Sequence, residues 1–325
     1  MNRYEVIATL GPASSQPETW HAMLAAGVTA FRLNTSHLSL PQLAGWLEQL
    51  ETYWAGSGQR VPVVLDLQGS KWRLGEIKPV DVMEGQLVEL VLVTAADQPG
   101  RLPVPHADFF AAARHSDGEI VLNDARVRLS IEAIHTDSIL ARVIQAGPLA
   151  AHKGITFHSC DYRIETLSEK DRSIFQQTHA LQGIQYAVSY IKDGLEMAQY
   201  RREFGPDSRL IAKLERGPAM ADAAAIAASA DELWVCRGDL GAEVGLAGMA
   251  AAVHAFTPLV VKLAVSSIMA GQVLEHLTEH ATPTRSEVCY LYDCLQQGYR
   301  GFVLSDETAI GQDPLGAART ACLFK

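Results

Sequence analysis

The sequence has few of the features that mark secreted or membrane proteins. Only 5 of its 325 residues are cysteines, and none forms a C-x-x-C pair, which disfavours a disulfide framework. There is no run of about 18 apolar residues that could span a bilayer. The chain begins MNRYEVIATL, without the apolar segment and cleavage site of a signal peptide. These absences predict a cytoplasmic protein with reduced thiols and no membrane partner.

Clusters of positive charge are also missing. The net charge is −10 at neutral pH, and lysine and arginine form no run. Such a chain is a poor match for nucleic acid or anionic lipid, so we expect a small-molecule substrate instead. The hydrophobic content of 48% over 325 residues is typical of a soluble globular protein. This length is enough for a large core and roughly two domains.

Short β-branched apolar runs alternate with amphipathic alanine- and leucine-rich segments along most of the chain. RYEVIATLG precedes PETWHAMLAAG, for example, and SRLIAKLERG precedes AMADAAAIAASA. Continuous apolar strands that alternate with helices indicate a parallel sheet covered by helices. We predict eight such strands, with the seventh in PLVVKLAVSS. Eight strands favour a closed (β/α)₈ barrel, the TIM barrel, over an open sheet.

One segment interrupts this alternation. Between residues 74 and 153 the apolar runs are shorter, as in QLVELVLV and RVRLSIEAI, and turn-forming stretches such as HSDGE separate them. This pattern is typical of antiparallel strands. We therefore predict a small β-rich domain at 74–153, inserted after the third barrel strand, with the barrel formed by 1–73 and 154–325.

Charged residues stand where two predicted strands end. Lys213 and Glu215 are two apart in LIAKLERG and so face the same side of a strand. Asp239 follows the next strand, in VCRGDLG. In a (β/α)₈ barrel the carboxyl ends of the strands meet at the catalytic face. Two carboxylates there suit Mg²⁺ or Mn²⁺. A structural ion pair at the barrel rim is the alternative interpretation.

Other strand ends carry polar residues as well. Arg32 and Asn34 share a face of the second strand by the same alternation, and an arginine there can fork onto a phosphate or carboxylate. Each of these residues alone could be a solvated loop residue, but their joint occurrence at five strand ends favours a binding site. The further candidates are Ser36, His37, Asp66, Lys71, Arg73, Ser305, Asp306 and Glu307.

These stretches resemble the pyruvate kinase family over nearly the whole chain. The segments that carry the resemblance are IATLGPASS, AGVTAFRLNTSH, VVLDLQGSKWRLG, KGITF, LSEKD, LIAKLERG, VCRGDLGAEV, PTRSEV and VLSDETAIGQDPLGAAR, in the family's order. The resemblance implies a (β/α)₈ barrel with an inserted β-barrel lid. It also implies phosphoryl transfer between phosphoenolpyruvate and a nucleotide, with ADP and ATP as partners.

The resemblance assigns roles to individual positions. Lys213 corresponds to the lysine that stabilises the transferring phosphoryl group, and Arg32 to the arginine that contacts phosphate. Glu215 and Asp239 correspond to the divalent-metal ligands. The backbone amides of Gly238 and Asp239 correspond to the cradle for the substrate carboxylate.

A monovalent-cation site and nucleotide contacts are implied in the same way. Asn34, Arg73 and Lys153 resemble nucleotide contacts. Lys71 stands where many relatives have glutamate, and its ammonium is expected to replace K⁺, so that K⁺ is not required. The implied monovalent-cation ligands are Asn34, Ser36, Asp66 and the carbonyl of Leu67.

The sequence also departs from the family. It ends at Lys325, so we expect the family's C-terminal domain to be absent. An ungapped alignment places Leu263 where the seventh strand of the family ends in a threonine that helps to protonate the enolate. Asp306 replaces a glycine. The leucine at position 263 predicts a weakened proton-transfer step.

Three functions remain open at this point. The first is a Mg²⁺-dependent phosphoryl-transfer enzyme that binds phosphoenolpyruvate or a related enol or keto acid such as pyruvate. The second is a Mg²⁺-dependent lyase or decarboxylase, or a transferase that uses phosphoenolpyruvate in specialised metabolism. The third is a non-catalytic ligand-binding relative. The sequence leaves a homo-oligomer open.

Overall fold

The computed structural model describes residues 4–116, 118–123, 125–157 and 167–325. Its first part alternates strands and helices, and the helix boundaries follow local capping. The Ser39 side chain accepts a hydrogen bond from Gln42 N at the start of the second helix, and Gly27 ends the first helix at φ +114°. The elements are β1 (Glu5–Thr9), α1 (Pro17–Ala26), β2 (Ala30–Asn34), α2 (Leu40–Ser57) and β3 (Val63–Leu67).

Two further sheets follow β3. One has six strands in the order β11-β7-β8-β9-β5-β6, and the other consists of β4 paired with β10. Trp72 packs edge-on against Phe109 and Phe157, with ring centroids 5.2 and 5.7 Å away. This part therefore has its own core, which fits the inserted β-domain; its limits at 74 and 153 stay a prediction. The elements are β4 (Val80–Val82), β5 (Leu87–Val91), β6 (Arg101–Pro103), α3 (Ala107–Ala112), β7 (Glu119–Leu122), β8 (Val127–Ile134), β9 (Ser138–Gln145), β10 (Gly147–Leu149) and β11 (Ile155–Phe157).

The remaining chain resumes the alternation of helices and strands. Asp193 caps α5, and a capping box of Thr284 and Glu287 starts α9. The elements are α4 (Glu169–Thr178), β12 (Ile184–Val188), α5 (Gly194–Phe204), β13 (Arg209–Leu214), α6 (Gly217–Ala221), α7 (Ala223–Ala227), β14 (Glu232–Cys236), α8 (Arg237–Val260), β15 (Ser266–Ala270), α9 (Arg285–Gln296), β16 (Gly301–Leu304), α10 (Asp306–Ala309) and α11 (Pro314–Ala321).

Eight parallel strands close into one barrel. Their order is β1-β16-β15-β14-β13-β12-β3-β2, and β1 completes the ring by pairing with both β2 and β16. The predicted TIM barrel is confirmed. The lid sheet enters the chain between β3 and α4, so β3 pairs with β12 across the insertion.

Alternating side chains divide the barrel into an outer and an inner core. The outer core lies between strands and helices and contains residues such as Leu65 and Leu214. The inner core contains ten small or apolar residues: Ile7, Ala30, Val64, Ala187, Ile211, Trp234, Cys236, Ile268, Ala270 and Val303. The residues two positions further along the strands therefore point inward at the carboxyl end of the barrel.

The predicted seventh strand was placed too early in the chain. The segment 258–260 still belongs to α8, and the seventh strand, β15, begins only at Ser266. Leu263 lies between the two elements, half-buried against the outer core. It cannot occupy the carboxyl end of a barrel strand, so the assignment of the missing threonine to Leu263 was wrong.

Helix α8 also qualifies the expectation about membranes. Among the described helices, α8 is long and apolar enough to cross a bilayer, with a mean hydropathy of 1.3 over 18 residues. The backbone of Gly245, at φ 72° and ψ 167°, breaks this helix into two. The half after the break carries exposed apolar side chains, including Leu246.

The cysteines that the structure describes carry free thiols. They are Cys236, Cys289, Cys294 and Cys322. Burial raises the pKa of Cys236 well above its usual value, which keeps this thiol protonated and unreactive. Cys160 lies outside the described residues.

Candidate active site

Asp66 is the centre of the polar cluster at the carboxyl end of the barrel. It follows Val64 of the inner core by two residues and is itself buried. Arg32 donates from Nε to Asp66 Oδ2 over 2.7 Å, and Lys213 donates from Nζ to Oδ1 over 3.0 Å. Arg32 Nη1 also donates to Thr9 Oγ1 over 2.8 Å. Four strands thus hold one carboxylate between two cations.

The charges of this cluster stabilise one another. Burial alone would lower the pKa of Lys213, but Asp66 and Glu215 outweigh it and raise this pKa. Burial would likewise raise the pKa of Asp66, but Lys213 and Arg32 bring it below its usual value. Lys213 is therefore a fixed cation rather than a proton donor. A buried fixed cation can stabilise charge on a transferring group.

Glu215 extends the cluster towards the barrel mouth. Its Oε1 lies 2.9 Å from Lys213 Nζ, and its Oε2 accepts a hydrogen bond from Tyr190 N over 2.7 Å. Burial and then the charge of Asp239 raise the pKa of Glu215, although Lys213 opposes the shift. The two carboxylates predicted as metal ligands are thus close enough to repel each other, and a cation would relieve that repulsion.

Asp239 stands at the start of α8 and forms an ion pair with Lys71, through Oδ1 and Nζ. Burial raises its pKa, but Lys71 outweighs this and holds the pKa below its usual value. The Lys71 ammonium lies 5.7 Å from the centre of the Tyr190 ring. The structure therefore places Lys71 against a candidate divalent-metal ligand.

The donor set at this point suits a magnesium-type ion. Within the described part of the chain, no group of three or more histidine, cysteine or acidic side chains is placed so that it could hold a metal ion by itself. Mg²⁺ is commonly held by one or two carboxylates, with water and substrate oxygens completing its shell. Glu215 and Asp239 supply two hard oxygen donors on neighbouring strand ends, so these residues fit the ion.

The four candidate ligands for a monovalent cation already have partners within the protein. Asn34 Oδ1 accepts from Ser36 N over 3.2 Å, and Ser36 Oγ accepts from Arg73 Nη2 over 2.9 Å. Ser189 Oγ donates to the Leu67 carbonyl over 2.6 Å. Asp66 is held by Arg32 and Lys213, as described above. The protein's own donors thus occupy oxygens that a monovalent ion would use.

The rim between the barrel and the lid is positively charged. Arg73 reaches the His152 carbonyl over 2.8 Å in addition to Ser36. Burial, then Arg73, Lys153 and Arg32, lower the pKa of His37 to about 4, so the imidazole is neutral near pH 7. A cavity of about 310 Å³ opens at Arg73 and is lined by residues of the lid and its connection, among them His106 and His152. Three cations at one rim suit a polyphosphate.

The residue that follows β15 at its carboxyl end is a glycine and has no side chain. Gly271 follows the strand at φ +75°, and a Cβ added there would lie 3.0 Å from the amide nitrogens of Arg237 and Gly238. The Gly271 carbonyl accepts from Arg237 Nε over 3.0 Å. The site therefore carries two amides at a helix start and no hydroxyl at the seventh strand end.

Sequence reasoning missed several residues of this site. Ser189 and Tyr190 directly follow β12, and Thr9 ends β1. Ser189 follows Ala187 of the inner core by two positions, so the same alternation that found Lys213 would have found it. Tyr190 has no such signal, because its φ of 65° turns the chain out of the strand pattern.

A comparison with known families shows which family the chain belongs to. The sequence model of a family described as "Pyruvate kinase, barrel domain" matches residues 1–318. The chain belongs to the pyruvate kinase family. It is 30% identical over 317 residues to "Pyruvate kinase" of Agrobacterium vitis, which covers 96% of the chain and 66% of that relative.

Other members of the pyruvate kinase family match the chain with similar identity and coverage. "Pyruvate kinase" of Aeropyrum pernix is 30% identical over 317 residues, and these cover 96% of the chain and 68% of the relative. "Pyruvate kinase" of Methylorubrum extorquens is 29% identical over 320 residues, with coverages of 98% and 67%. The chain thus spans about two-thirds of the length of the curated relatives that it matches.

Proposed function

We propose that the protein is a Mg²⁺-dependent phosphoryl-transfer enzyme that binds phosphoenolpyruvate or a related enol or keto acid. The observation that carries the proposal is the buried cluster in which Lys213 lies between Asp66 and Glu215, next to Asp239. Phosphoryl transfer needs positioning and positive charge around the transferring group more than a nucleophile from the protein. Lys213 and Arg32 are the proposed catalytic residues.

The remaining residues have proposed roles in binding. Glu215 and Asp239 would hold Mg²⁺ or Mn²⁺, which when bound would neutralise charge on phosphate and carboxylate oxygens. The amides of Gly238 and Asp239, at the start of α8, would receive the substrate carboxylate. Arg73 and Lys153 at the charged rim, with Asn34 below it, would contact the phosphates of ADP or ATP.

We further propose that the proton-transfer half of the reaction is weakened. The family's hydroxyl at the end of strand seven would assist delivery of a proton to the enolate, and Gly271 at the end of β15 has no side chain. General acid–base assistance is worth roughly 10²- to 10⁴-fold, or about 3–5 kcal/mol. The protein would therefore turn phosphoenolpyruvate and ADP over slowly to pyruvate.

A second candidate function uses the same metal and acid site. It is an enzyme that passes the phosphoryl group of phosphoenolpyruvate to another acceptor, or a Mg²⁺-dependent lyase or decarboxylase that acts through an enolate. A non-catalytic binding protein is less consistent with the buried cluster, because buried charges are costly to retain without a ligand. We place the enzyme in the cytoplasm, and a homo-oligomer stays open.

Two measurements test the proposed function. Thermal unfolding with Mg²⁺ and phosphoenolpyruvate, pyruvate, oxalate, ADP or ATP should show stabilisation by the acids only when Mg²⁺ is present. A coupled assay should then give slow pyruvate formation from phosphoenolpyruvate and ADP. Stabilisation by none of these ligands would contradict the proposed substrate class. Turnover as fast as an ordinary pyruvate kinase would contradict the weakened proton transfer.

A further inference from the structure

Among the described residues, the carboxylates of the candidate metal site already have partner cations. Three carboxylates, Asp66, Glu215 and Asp239, are paired with three cations, and each pair is buried or nearly so. The three cations are Arg32, Lys71 and Lys213. An ion that carries two positive charges would therefore add positive charge to a site whose carboxylates are already paired. In a low-dielectric interior, such an excess of charge is unfavourable.

Lys71 is the cation that directly contacts a proposed metal ligand. It lies in the segment after β3 and pairs with Asp239 across 168 residues of sequence. Its side chain is buried, with a relative exposure of 8%. On one side it faces the Tyr190 ring.

The absence of a side chain at Gly154 leaves space for the end of Lys71. A Cβ added to Gly154 would lie 2.8 Å from Lys71 Nζ, closer than non-bonded atoms approach. The ammonium thus sits in a fitted position, between Tyr190 and Gly154, and is directed at the Asp239 carboxylate. Because Lys71 ends in a flexible chain, it can be displaced from this position without moving the barrel.

We propose that the Lys71 ammonium competes with the divalent cation for Asp239, so that the ion binds tightly only together with an anionic enol or keto acid. This inference rests on the proposed function, because Glu215 and Asp239 are taken as the metal ligands. Once the ion has displaced Lys71, the cluster carries additional positive charge. The acid supplies the negative charge that offsets it. The coupling is reciprocal, so the acid must also bind more tightly in the presence of the ion.

The test is to measure Mn²⁺ binding directly, from the electron paramagnetic resonance signal of free Mn²⁺, with and without oxalate as the acid. In the wild-type protein, oxalate should tighten Mn²⁺ binding by about 5- to 150-fold, the usual range of coupling between two sites. Lys71→Gln removes the competing charge. It should tighten Mn²⁺ binding at least tenfold without oxalate and shrink the effect of oxalate.

Gly154→Ala tests the position of the ammonium while its charge is kept. The new methyl group would overlap Lys71 Cε and Nζ, so the flexible end of the lysine would have to leave its present position on Asp239. Mn²⁺ binding without oxalate should tighten in this variant too. Lys262→Met is the matched control, because Lys262 is exposed and precedes β15 at the opposite end of the barrel. It should bind Mn²⁺ as the wild-type protein does.

The possible failures are distinguishable. If Lys71→Gln and Gly154→Ala leave Mn²⁺ affinity unchanged or weaken it, while oxalate still tightens Mn²⁺ binding, the competition is wrong and the proposed metal site stands. If neither the wild-type protein nor any variant binds Mn²⁺, with or without oxalate, the metal site of the proposed function is wrong. The proposed competition is then wrong as well.

Discussion

Lys213 Nζ lies 3.0 Å from Asp66 Oδ1, although 147 residues separate them in the sequence. Both side chains are buried, and Arg32 approaches the same carboxylate from the other side. Lys213 therefore holds together the carboxyl ends of β3 and β13 as well as serving the proposed chemistry. A structural contribution and a catalytic one should be separable by experiment.

Removal of the Lys213 charge should destabilise the protein. Lys213→Met leaves Arg32 as the cation paired with Asp66 and leaves Glu215 without its ammonium partner. Breaking a buried ion pair in this way costs about 3–5 kcal/mol. Urea unfolding of the variant should show a loss of this order, whereas Lys262→Met should change the free energy of unfolding little. A stable Lys213→Met protein would indicate that the cluster is more hydrated than the structure implies.

Loss of either candidate metal ligand should abolish ion-dependent binding of the acid. Glu215→Gln and Asp239→Asn keep the size of the side chain but remove the charge that a divalent ion needs. Calorimetric titration with oxalate in the presence of Mg²⁺ should detect no binding in either variant. Glu279, an exposed glutamate outside the site, provides the control as Glu279→Gln. Wild-type affinity in the two site variants would remove the assigned metal site.

Potassium should be unnecessary for ligand binding. The candidate oxygens Asn34 Oδ1, Ser36 Oγ and the Leu67 carbonyl already accept hydrogen bonds within the protein. Lys71 adds a positive charge nearby, in its ion pair with Asp239. Replacing K⁺ with tetramethylammonium at constant ionic strength should leave Mg²⁺-dependent oxalate affinity unchanged. A strong requirement for K⁺ would show that these hydrogen bonds open to admit the ion.

Substitutions at Leu263 and Gly271 should have different effects. Leu263→Thr should not raise turnover of phosphoenolpyruvate, because Leu263 lies before β15 and away from the carboxyl end of that strand. Gly271→Ala should lower stability by about 1 kcal/mol or more, because φ there is +75° and the added Cβ lies 3.0 Å from two amide nitrogens. Coupled assays and thermal unfolding of both variants check these expectations. A rise in turnover for Leu263→Thr would contradict the placement of the strand.

Glu232 should make stability depend on pH. Burial, then the neighbouring Glu5, raise the pKa of Glu232 from the usual 4.5 to about 7, although Trp234 and Arg209 oppose the shift. The folded protein thus holds this proton more tightly than the unfolded chain does. The stabilisation from this proton is complete below pH 4.5 and is lost as the pH rises to about 7. The loss amounts to roughly 3 kcal/mol.

The measurement for Glu232 is the free energy of unfolding as a function of pH. Glu232→Gln should remove the decrease between pH 4.5 and about 7 that this group causes. Trp234 Nε1 donates to Glu232 Oε1 over 2.6 Å, so tryptophan fluorescence should follow the same titration in the folded protein. An identical pH profile for the wild type and Glu232→Gln would exclude Glu232 as its source.

The barrel was predictable because its strands keep one pattern. The apolar runs around Val64 and Ile211 each end, two residues later, in the charged residues Asp66 and Lys213. Strand seven was misplaced because the apolar run of 258–265 covers the end of α8 and the connection to β15. A short apolar run carries no period that separates a buried strand from a helix end.

The ion pairs within the site were harder to predict from the sequence than the barrel was. The contact between Lys71 and Asp239 joins positions 168 residues apart, and only the closed barrel brings them together. The sequence did indicate that Lys71 was unusual, since many relatives have glutamate there. Its partner depends on the path of the chain after β3 and on the space beside Gly154, which no local pattern specifies.

The position of the lid in the chain also bears on how the protein is made. Strand β3 ends at Leu67, but its neighbour β12 starts only at Ile184, after the lid sheet and α4. At about 5–20 residues per second, a ribosome would need on the order of ten seconds to complete that interval. During this time the apolar edge VVLDL has no partner on one side. We therefore expect nascent chains halted before Ile184 to recruit chaperones, and longer ones to release them.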